Sequence, residues 1–176
     1  GCGLALDAAG NAFVGGWFQG TLDAGGEPLV AVDHSDVWLA SFDAAAGAHR
    51  WSRAFGGPSV DSSCAAAVTR DGDVVFGGFF NNTIDFGGGP FTAVAPSDGY
   101  LVRRAGADGA GVWAHRLGGA GGDHVSDVAV DDGDAVLVAA DFSQGFDFFG
   151  AIPAVVGASD GLVGHVPARL LDAAAP

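Results

Sequence analysis

The 176-residue chain is 49% apolar and carries a formal net charge of −14, with seven Arg and no Lys. This apolar content argues against an intrinsically disordered chain, and the length is sufficient for one domain with a sizeable core. Binding to nucleic acid or to anionic membrane surfaces depends on clustered Lys and Arg, so the sequence predicts neither activity. No apolar run approaches the roughly 18 residues needed to cross a bilayer, so membrane insertion is not expected.

The first part of the chain is predicted to form four short strands joined by turns. The turn at 8–11 contains Gly and Asn, which suit a tight connection between antiparallel strands. A polar link rich in glycine separates the second strand from the third. We expect one four-stranded antiparallel sheet, with strands over residues 3–7, 12–18, 37–43 and 50–55.

The same pattern recurs along the chain, and a fixed period of about 62 residues is the signature of a repeat architecture. Gly15-Gly16 of the first unit returns as Gly77-Gly78 in the second, and Trp51 returns as Trp113. Aspartates follow the same period, in the series Asp23, Asp85 and Asp147, the series Asp36, Asp98 and Asp160, and the pair Asp61 and Asp123.

The third unit is incomplete. It matches the pattern as far as 162–166, but residues 167–176 contain neither the Trp nor the Gly-Gly pair. The fold class predicted is all-β and β-propeller-like, with three blades of about 62 residues at 1–61, 62–123 and 124–176. Propellers have about 4–8 blades. We therefore expect a segment of a larger propeller or one completed by oligomerisation, and apolar blade faces that favour self-association.

Several motifs resemble the secreted bacterial β-propeller repeat family, known as SBBP repeats. They are LDAAGNAFVGG at 6–16, SDVWLASFD at 35–43, IDFGGGP at 84–90, and Trp51 followed by Phe55-Gly-Gly. The resemblance covers nearly the whole chain up to about His165. It implies an extracellular or cell-surface bacterial scaffold whose repeats share no catalytic motif.

A second, weaker likeness concerns residues 43–47 with Trp51. The sequence DAAAG followed by a Trp is similar to the tryptophan-docking motif of quinoprotein propellers, and the second unit keeps Gly109 and Trp113. This likeness implies that both Trp side chains pack between blades. No residue of this chain can be matched to a quinone-binding position, so no cofactor is predicted.

Acidic turns offer one candidate metal site. Carboxylate oxygens are the ligands that Ca²⁺ prefers, although the EF-hand spacing with a distal Glu is absent. Hairpin-turn chemistry also explains clustered aspartates, so both interpretations stay open. The calcium candidates are Asp71, Asp73, Asp131, Asp132 and Asp134.

Histidine and cysteine residues form no recognisable catalytic or zinc motif. The five His occupy unrelated positions in their units, and the adjacent His34-Ser35-Asp36 cannot converge as a catalytic triad requires. We therefore predict no catalytic residues. Cys2 and Cys64 occupy equivalent positions in consecutive units. Their spacing leaves open whether they are bridged or are separate small buried residues.

Function is predicted to lie in the long links between the second and third strands. Connections of this length inside a regular repeat are often functional. We expect the links 19–36, 81–98 and 143–160 to share one face with the blade crossings 56–63 and 118–126; we call this the loop face. The predicted function is a non-enzymatic scaffold that binds a protein or glycan through positions such as Glu27, Asn81, Asn82 and Gln144. The alternatives are a propeller lyase or hydrolase with its active site on the loop face, and a calcium-stiffened structural repeat.

Overall fold

The computed structural model describes residues 3–151, 153 and 158–173. Sheet one contains four antiparallel strands in the order β1-β2-β5-β6, beside a separate hairpin of β3 and β4. Strands β1 to β6 cover Gly3–Leu6, Ala12–Phe18, Thr21–Leu22, Leu29–Val30, Asp36–Phe42 and His49–Phe55. The four-stranded antiparallel sheet predicted for this unit is confirmed. Any pairing of Cys2 with Cys64 lies outside the described residues.

Sheet two has the same arrangement. Its four antiparallel strands follow the order β7-β8-β11-β12, and β9 and β10 form a separate hairpin. Strands β7 to β12 cover Asp61–Val68, Val74–Phe80, Thr83–Asp85, Pro90–Thr92, Asp98–Arg104 and Gly111–Leu117. Each strand therefore pairs with its neighbour in the chain, apart from the hairpin inserted between the second and third.

Sheet three has three strands and a short helix after them. Strands β13 to β15 cover His124–Val130, Val136–Phe142 and Asp160–Val166, and α1 covers Ala168–Ala173. The described residues contain no fourth strand in this sheet, as the missing Trp and Gly-Gly pair predicted. Instead, Leu171 of α1 packs into the core between sheets two and three, and its carbonyl oxygen lies 2.9 Å from His115 Nε2.

The protein is therefore all-β, with an incomplete propeller-like arrangement of antiparallel sheets. Two apolar cores hold the sheets together. The first packs sheet one against sheet two and includes Phe13, Trp51, Phe76 and Tyr100. The second packs sheet two against sheet three and includes residues such as Leu101, Trp113, Val128 and Phe142. Because side chains alternate along a strand, each sheet can contribute one face to each neighbour.

The long links are not simply the polar connections that were predicted, because they contain buried apolar side chains. In the second link, Ile84 and Phe86 are buried, and the rings of Phe86 and Phe55 lie 5.3 Å apart. Burial of these side chains draws the hairpin of β9 and β10 onto the core between sheets one and two. In the third link, the buried Phe146 occupies the position corresponding to Ile84 and stacks on Phe142, with ring centroids 5.1 Å apart.

The two outer sheet faces carry exposed apolar side chains. Leu4 and Leu6 of β1, on the face of sheet one turned away from sheet two, are 67% and 63% exposed. On the outer face of sheet three, Val163 is 77% exposed and Leu137 is 36% exposed. Both faces were predicted to be apolar, and these exposures agree with that expectation.

Candidate functional site

The loop face lies at one end of the strands, where several strands begin with an aspartate. In sheet two, Asp61 at the start of β7 and Asp98 at the start of β11 both pair with Phe80 at the end of β8. Both aspartates are 0% exposed. The carboxylates at this edge therefore face backbone groups of the links and crossings rather than solvent.

Asp61 connects a blade crossing to a link. Its Oδ2 accepts a hydrogen bond from the Gly57 backbone N–H at 3.0 Å, and its Oδ1 accepts one from the Asn81 N–H at 3.2 Å. Its own N–H donates to the Ser35 carbonyl at 2.8 Å. Burial raises the pKa of Asp61 to about 7, although the two backbone N–H donors oppose this rise. One side chain thus holds segments from two consecutive units.

Asp123 makes the same set of contacts at the equivalent position of the next unit. Gly119 donates its N–H to Oδ2 at 2.8 Å, and Ser143 donates its N–H to Oδ1 at 3.0 Å. The Asp123 N–H donates to the Ser97 carbonyl at 3.0 Å. Burial also raises the pKa of this carboxyl group. The crossings and the link starts therefore meet on one face at both junctions, as predicted. The hairpin of the second link does not stay there, because Gly87 lies beside Arg104 at the opposite end of β11.

Asp36 and Asp98 hold the ends of the first two links. Oδ2 of Asp36 accepts from the Val32 N–H at 2.9 Å, and Oδ2 of Asp98 accepts from the Val94 N–H at 3.1 Å. Asp98 is also paired with Arg116. Desolvation raises the pKa of Asp36. The first unit has Ala54 at the position of Arg116, so Asp36 lacks the cation that pairs with Asp98.

The aspartates within the links stabilise the turns. Asp23 accepts from the Gly25 N–H at 2.8 Å, and Asp85 accepts from the Gly87 N–H at 2.6 Å. Asp147 accepts from the Gly150 N–H at 2.7 Å. These repeated aspartates therefore hold the links through hydrogen bonds from backbone N–H groups. The structural role uses the short Asp side chain, whose oxygens reach a backbone N–H nearby in the chain.

The calcium candidates lie at the opposite end of the strands, in the hairpin turns. Asp73 is paired with Arg103 at 2.9 Å and accepts from the Gly106 N–H at 3.1 Å. Asp131 accepts from two backbone N–H groups of its own turn, at Gly133 and Ala135, and Asp134 accepts from the Arg70 N–H. Asp71 and Asp132 are exposed. The described part of the chain contains no group of three or more His, Cys, Asp or Glu placed to share a metal ion.

The His34-Ser35-Asp36 sequence is not arranged as a triad. The Ser35 hydroxyl donates to the Asp61 carbonyl at 3.3 Å, and Asp36 accepts from the Val32 N–H. His34 is exposed. Ser35 and Asp36 reach different partners because extended backbone at the start of β5 places neighbouring side chains on opposite faces.

The two docking tryptophans are buried between sheets, as the quinoprotein likeness implied. Trp51 Nε1–H donates to the Gly106 carbonyl of the β11–β12 turn at 3.0 Å. Trp113 packs into the core between sheets two and three, but its Nε1–H has no hydrogen-bond partner among the described residues. The residue corresponding to Gly106 in the third unit is Ala168, the first residue of α1. The helix thus replaces the turn that would offer Trp113 its acceptor.

The structure makes two residues prominent that were not predicted from the sequence. Trp17 lies at the loop-face end of β2 and is 50% exposed. Arg104, at the other end of β11, is buried beside a cavity. The sequence did contain a signal for Arg104, because the corresponding residues of the first and third units are Phe42 and Val166. A cation at a position otherwise occupied by apolar residues breaks the period.

Comparison with protein-family models finds no match, and comparison with curated proteins finds no related protein. Among the described residues, no helix has the length and apolar character needed to cross a membrane.

Proposed function

We propose that this chain is an extracellular or cell-surface binding scaffold whose loop face recognises a glycan. The proposal rests mainly on Trp17, an indole half exposed at the loop-face end of β2. A Trp side chain offers a flat apolar surface together with an N–H donor, which suits a partner that is both apolar and polar. Carbohydrate rings have this character, with C–H faces and hydroxyl edges.

The neighbouring sheet explains why Trp17 is exposed. Its counterpart Phe79 stacks on His124 of the next sheet, with ring centroids 4.4 Å apart. The residue corresponding to His124 in sheet two is Ser62, which has no ring to cover the indole. The first junction between sheets therefore leaves an aromatic surface open where the second junction is filled.

Polar side chains surround this end of the strands. Gln19 follows β2 directly, and Asn82 and Gln144 are the second residues of the other two links. All three residues are exposed. Amide groups both donate and accept hydrogen bonds, as recognition of sugar hydroxyls requires. Because Asp61 and Asp123 hold the starts of the second and third links, Asn82 and Gln144 lose less conformational freedom on binding.

A non-enzymatic role is part of the proposal. Asp61, Asp98 and Asp123 of the loop face are fully buried and accept hydrogen bonds from backbone N–H groups. A general acid or base must reach its substrate within hydrogen-bonding distance. Carboxylates engaged with the links are better suited to fixing loop positions than to proton transfer.

A printed glycan array probed with the labelled chain tests this proposal. We expect binding to a discrete set of glycans, reduced roughly five- to thirtyfold by Trp17→Ala and by Gln19→Ala, each of which removes a contact surface worth about 1–2 kcal/mol. The matched control is Asp132→Ala, an exposed residue in a hairpin turn at the opposite end of the strands. Circular dichroism establishes that each variant is folded.

Two outcomes would contradict the glycan assignment. One is the absence of any bound glycan, which would favour the alternative of a protein partner on the same face. The other is equal loss of binding in Asp132→Ala and in the two loop-face variants, since that pattern would place the contact elsewhere.

Self-association through the outer faces is a second part of the proposal. Leu4 and Leu6 correspond to Ala66 and Val68 of sheet two, which pack against the core shared with sheet one. The outer face of sheet three offers Leu137 and Val163. A second copy can therefore place its sheet three against sheet one in the relation that the sheets already have within one chain.

A further inference from the structure

A cavity of about 210 Å³ lies beside the second link hairpin, away from Trp17 and the loop-face amides. One wall is the Gly87-Gly88-Gly89 turn, flanked by Phe86 and Phe91. The rest of the lining is formed by Arg104 and by residues 111–114 at the start of β12. The lining is largely apolar, with one cationic side chain.

The guanidinium group of Arg104 is next to the glycines of this cavity. A Cβ placed on Gly111 would lie 2.9 Å from Nη1, and one on Gly87 would lie 4.0 Å from both Nη atoms. Glycine at 111 leaves space directly beside the charged end of the side chain, and the Gly87 backbone lies close to the same group. The guanidinium therefore forms part of the cavity wall.

Arg104 is buried, and none of the described carboxylates pairs with it. It is 5% exposed and takes part in none of the three ion pairs found among the described residues. Its Nη2 donates to the Phe86 carbonyl, and its guanidinium carbon lies 4.5 Å from the centre of the Phe55 ring. Its Nε–H has no hydrogen-bond partner in the part of the chain that the structure describes. Burying a cation is costly unless it is paired with an anion.

The charge of Arg104 persists at neutral pH. Burial lowers its pKa to about 10, and the nearby Arg53 adds to that decrease, while Asp85 opposes it. The other units place Phe42 and Val166 at this position, so the fold itself does not need a cation here. A buried, charged donor beside an apolar cavity is therefore a local addition to the second unit.

We propose that this cavity binds a small organic carboxylate with one apolar ring. The carboxylate would pair with the Arg104 guanidinium, which is suited to planar anions. The ring would pack against the cavity sides of Phe86 and Phe91, whose own ring centroids lie 6.2 Å apart. An engineered apolar cavity of about 150 Å³ holds a benzene ring, so the present volume admits a ring with a carboxylate.

Titration of the isotope-labelled chain by NMR tests this inference, at about 0.15 M salt to screen the acidic surface. The probes are benzoate, its neutral analogue benzamide, and acetate, which keeps the charge without the ring. We expect saturable shifts of backbone amides in 86–91 and 111–114 with benzoate, with a Kd near or below about 1 mM for so small a ligand. Benzamide and acetate should each bind at least roughly tenfold more weakly, because each lacks one of the two contacts.

Variants separate the site from general charge effects. Arg104→Met should weaken benzoate binding at least roughly tenfold, by removing the cation while keeping an apolar side chain. Arg70→Met is the matched control, since it removes an exposed arginine and should leave the Kd unchanged. Ala114→Leu keeps Arg104 and fills the cavity, so it should also abolish binding and provides a second test if Arg104→Met does not fold.

The inference is overturned if benzoate causes no saturable shifts in these segments. It is equally overturned if benzamide binds as tightly as benzoate, or if Arg104→Met and Ala114→Leu both retain wild-type affinity. Because Trp17 and Gln19 are not involved, benzoate binding is independent of the glycan proposal and can succeed or fail separately.

Discussion

The two buried tryptophans show how a single acceptor distinguishes equivalent residues. Trp51 and Trp113 occupy the same position in consecutive units, and both are 5% exposed. Trp51 Nε1–H reaches the Gly106 carbonyl, whereas Trp113 Nε1–H has no hydrogen-bond partner within the described part of the chain. A buried donor without an acceptor costs free energy, so the two indoles differ in their contribution to stability despite similar burial.

Replacing each Trp by Phe measures this difference. Both substitutions remove a similar volume, but Trp51→Phe also leaves the Gly106 carbonyl without its partner. We expect Trp51→Phe to lower the free energy of unfolding by roughly 1–3 kcal/mol more than Trp113→Phe does. Urea denaturation of the two variants gives the comparison. Equal losses in both variants would show that the indole hydrogen bond contributes nothing measurable.

At the level of whole elements, each junction between sheets depends on one buried carboxylate. Asp61 holds the crossing at Gly57 and the link at Asn81, and Asp123 holds Gly119 and Ser143. Gly57 is necessary at its position, because a Cβ there would lie 1.9 Å from the Thr83 carbonyl oxygen. The crossing and the next link are therefore in direct backbone contact, with Asp61 satisfying the N–H groups that this contact buries.

The raised pKa of Asp61 makes stability depend on pH. The folded pKa of about 7 is above the ordinary value of 3.8 for this group. The folded state therefore binds this proton more tightly than the unfolded state does. The resulting contribution to the free energy of unfolding is complete below about pH 4 and is lost as the pH rises through about 7. From pH 5 to pH 8 we expect the free energy of unfolding of the wild type to fall by roughly 1–3 kcal/mol relative to Asp61→Asn.

Urea denaturation of both proteins at pH 5 and pH 8 measures this change. Asp61→Asn places an amide N–H₂ against a backbone donor and should be less stable overall, but it has no carboxyl group at this position to titrate. The comparison therefore depends on the change with pH and not on absolute stability. Parallel pH dependence in the two proteins would contradict an elevated Asp61 pKa.

For the whole molecule, the proposed self-association depends on the outer sheet faces. Sheets one and two, and sheets two and three, bury apolar faces against each other. The remaining faces expose Leu4, Leu6 and Val163. Contact between sheet three of one copy and sheet one of another is heterologous, and such contacts form a closed ring only if the rotation between copies allows it.

Analytical ultracentrifugation over a range of concentrations tests this association. We expect the wild type to form dimers or larger species, and Leu4→Lys with Leu6→Lys, or Val163→Lys alone, to shift it toward monomer. Each lysine would place a charge in an apolar contact, which is unfavourable. Val94→Lys is the control, because Val94 is 65% exposed in a link. A wild type that stays monomeric up to its solubility limit would refute the proposal.

Much of the fold could be predicted because its signals are local. The turn at 8–11, the alternation of side chains and the repeat period placed the main strands close to their observed positions. The absence of a fourth strand among the described residues of sheet three followed from the missing Trp and Gly-Gly pair. The link hairpins were not predicted, since the two to three residues in each of their strands provide no usable periodicity.

The sequence by itself determined the order of the strands, their antiparallel pairing within each unit and the recurring aspartates. These features can be predicted from short turns, from the alternation of side chains and from the 62-residue period, none of which requires the packed structure. Only the tertiary structure decided that Asp61 bridges two segments, that Trp17 is left open, and that Arg104 lines a cavity. Their surroundings come from residues far apart in the chain, and those contacts exist only after the sheets have packed.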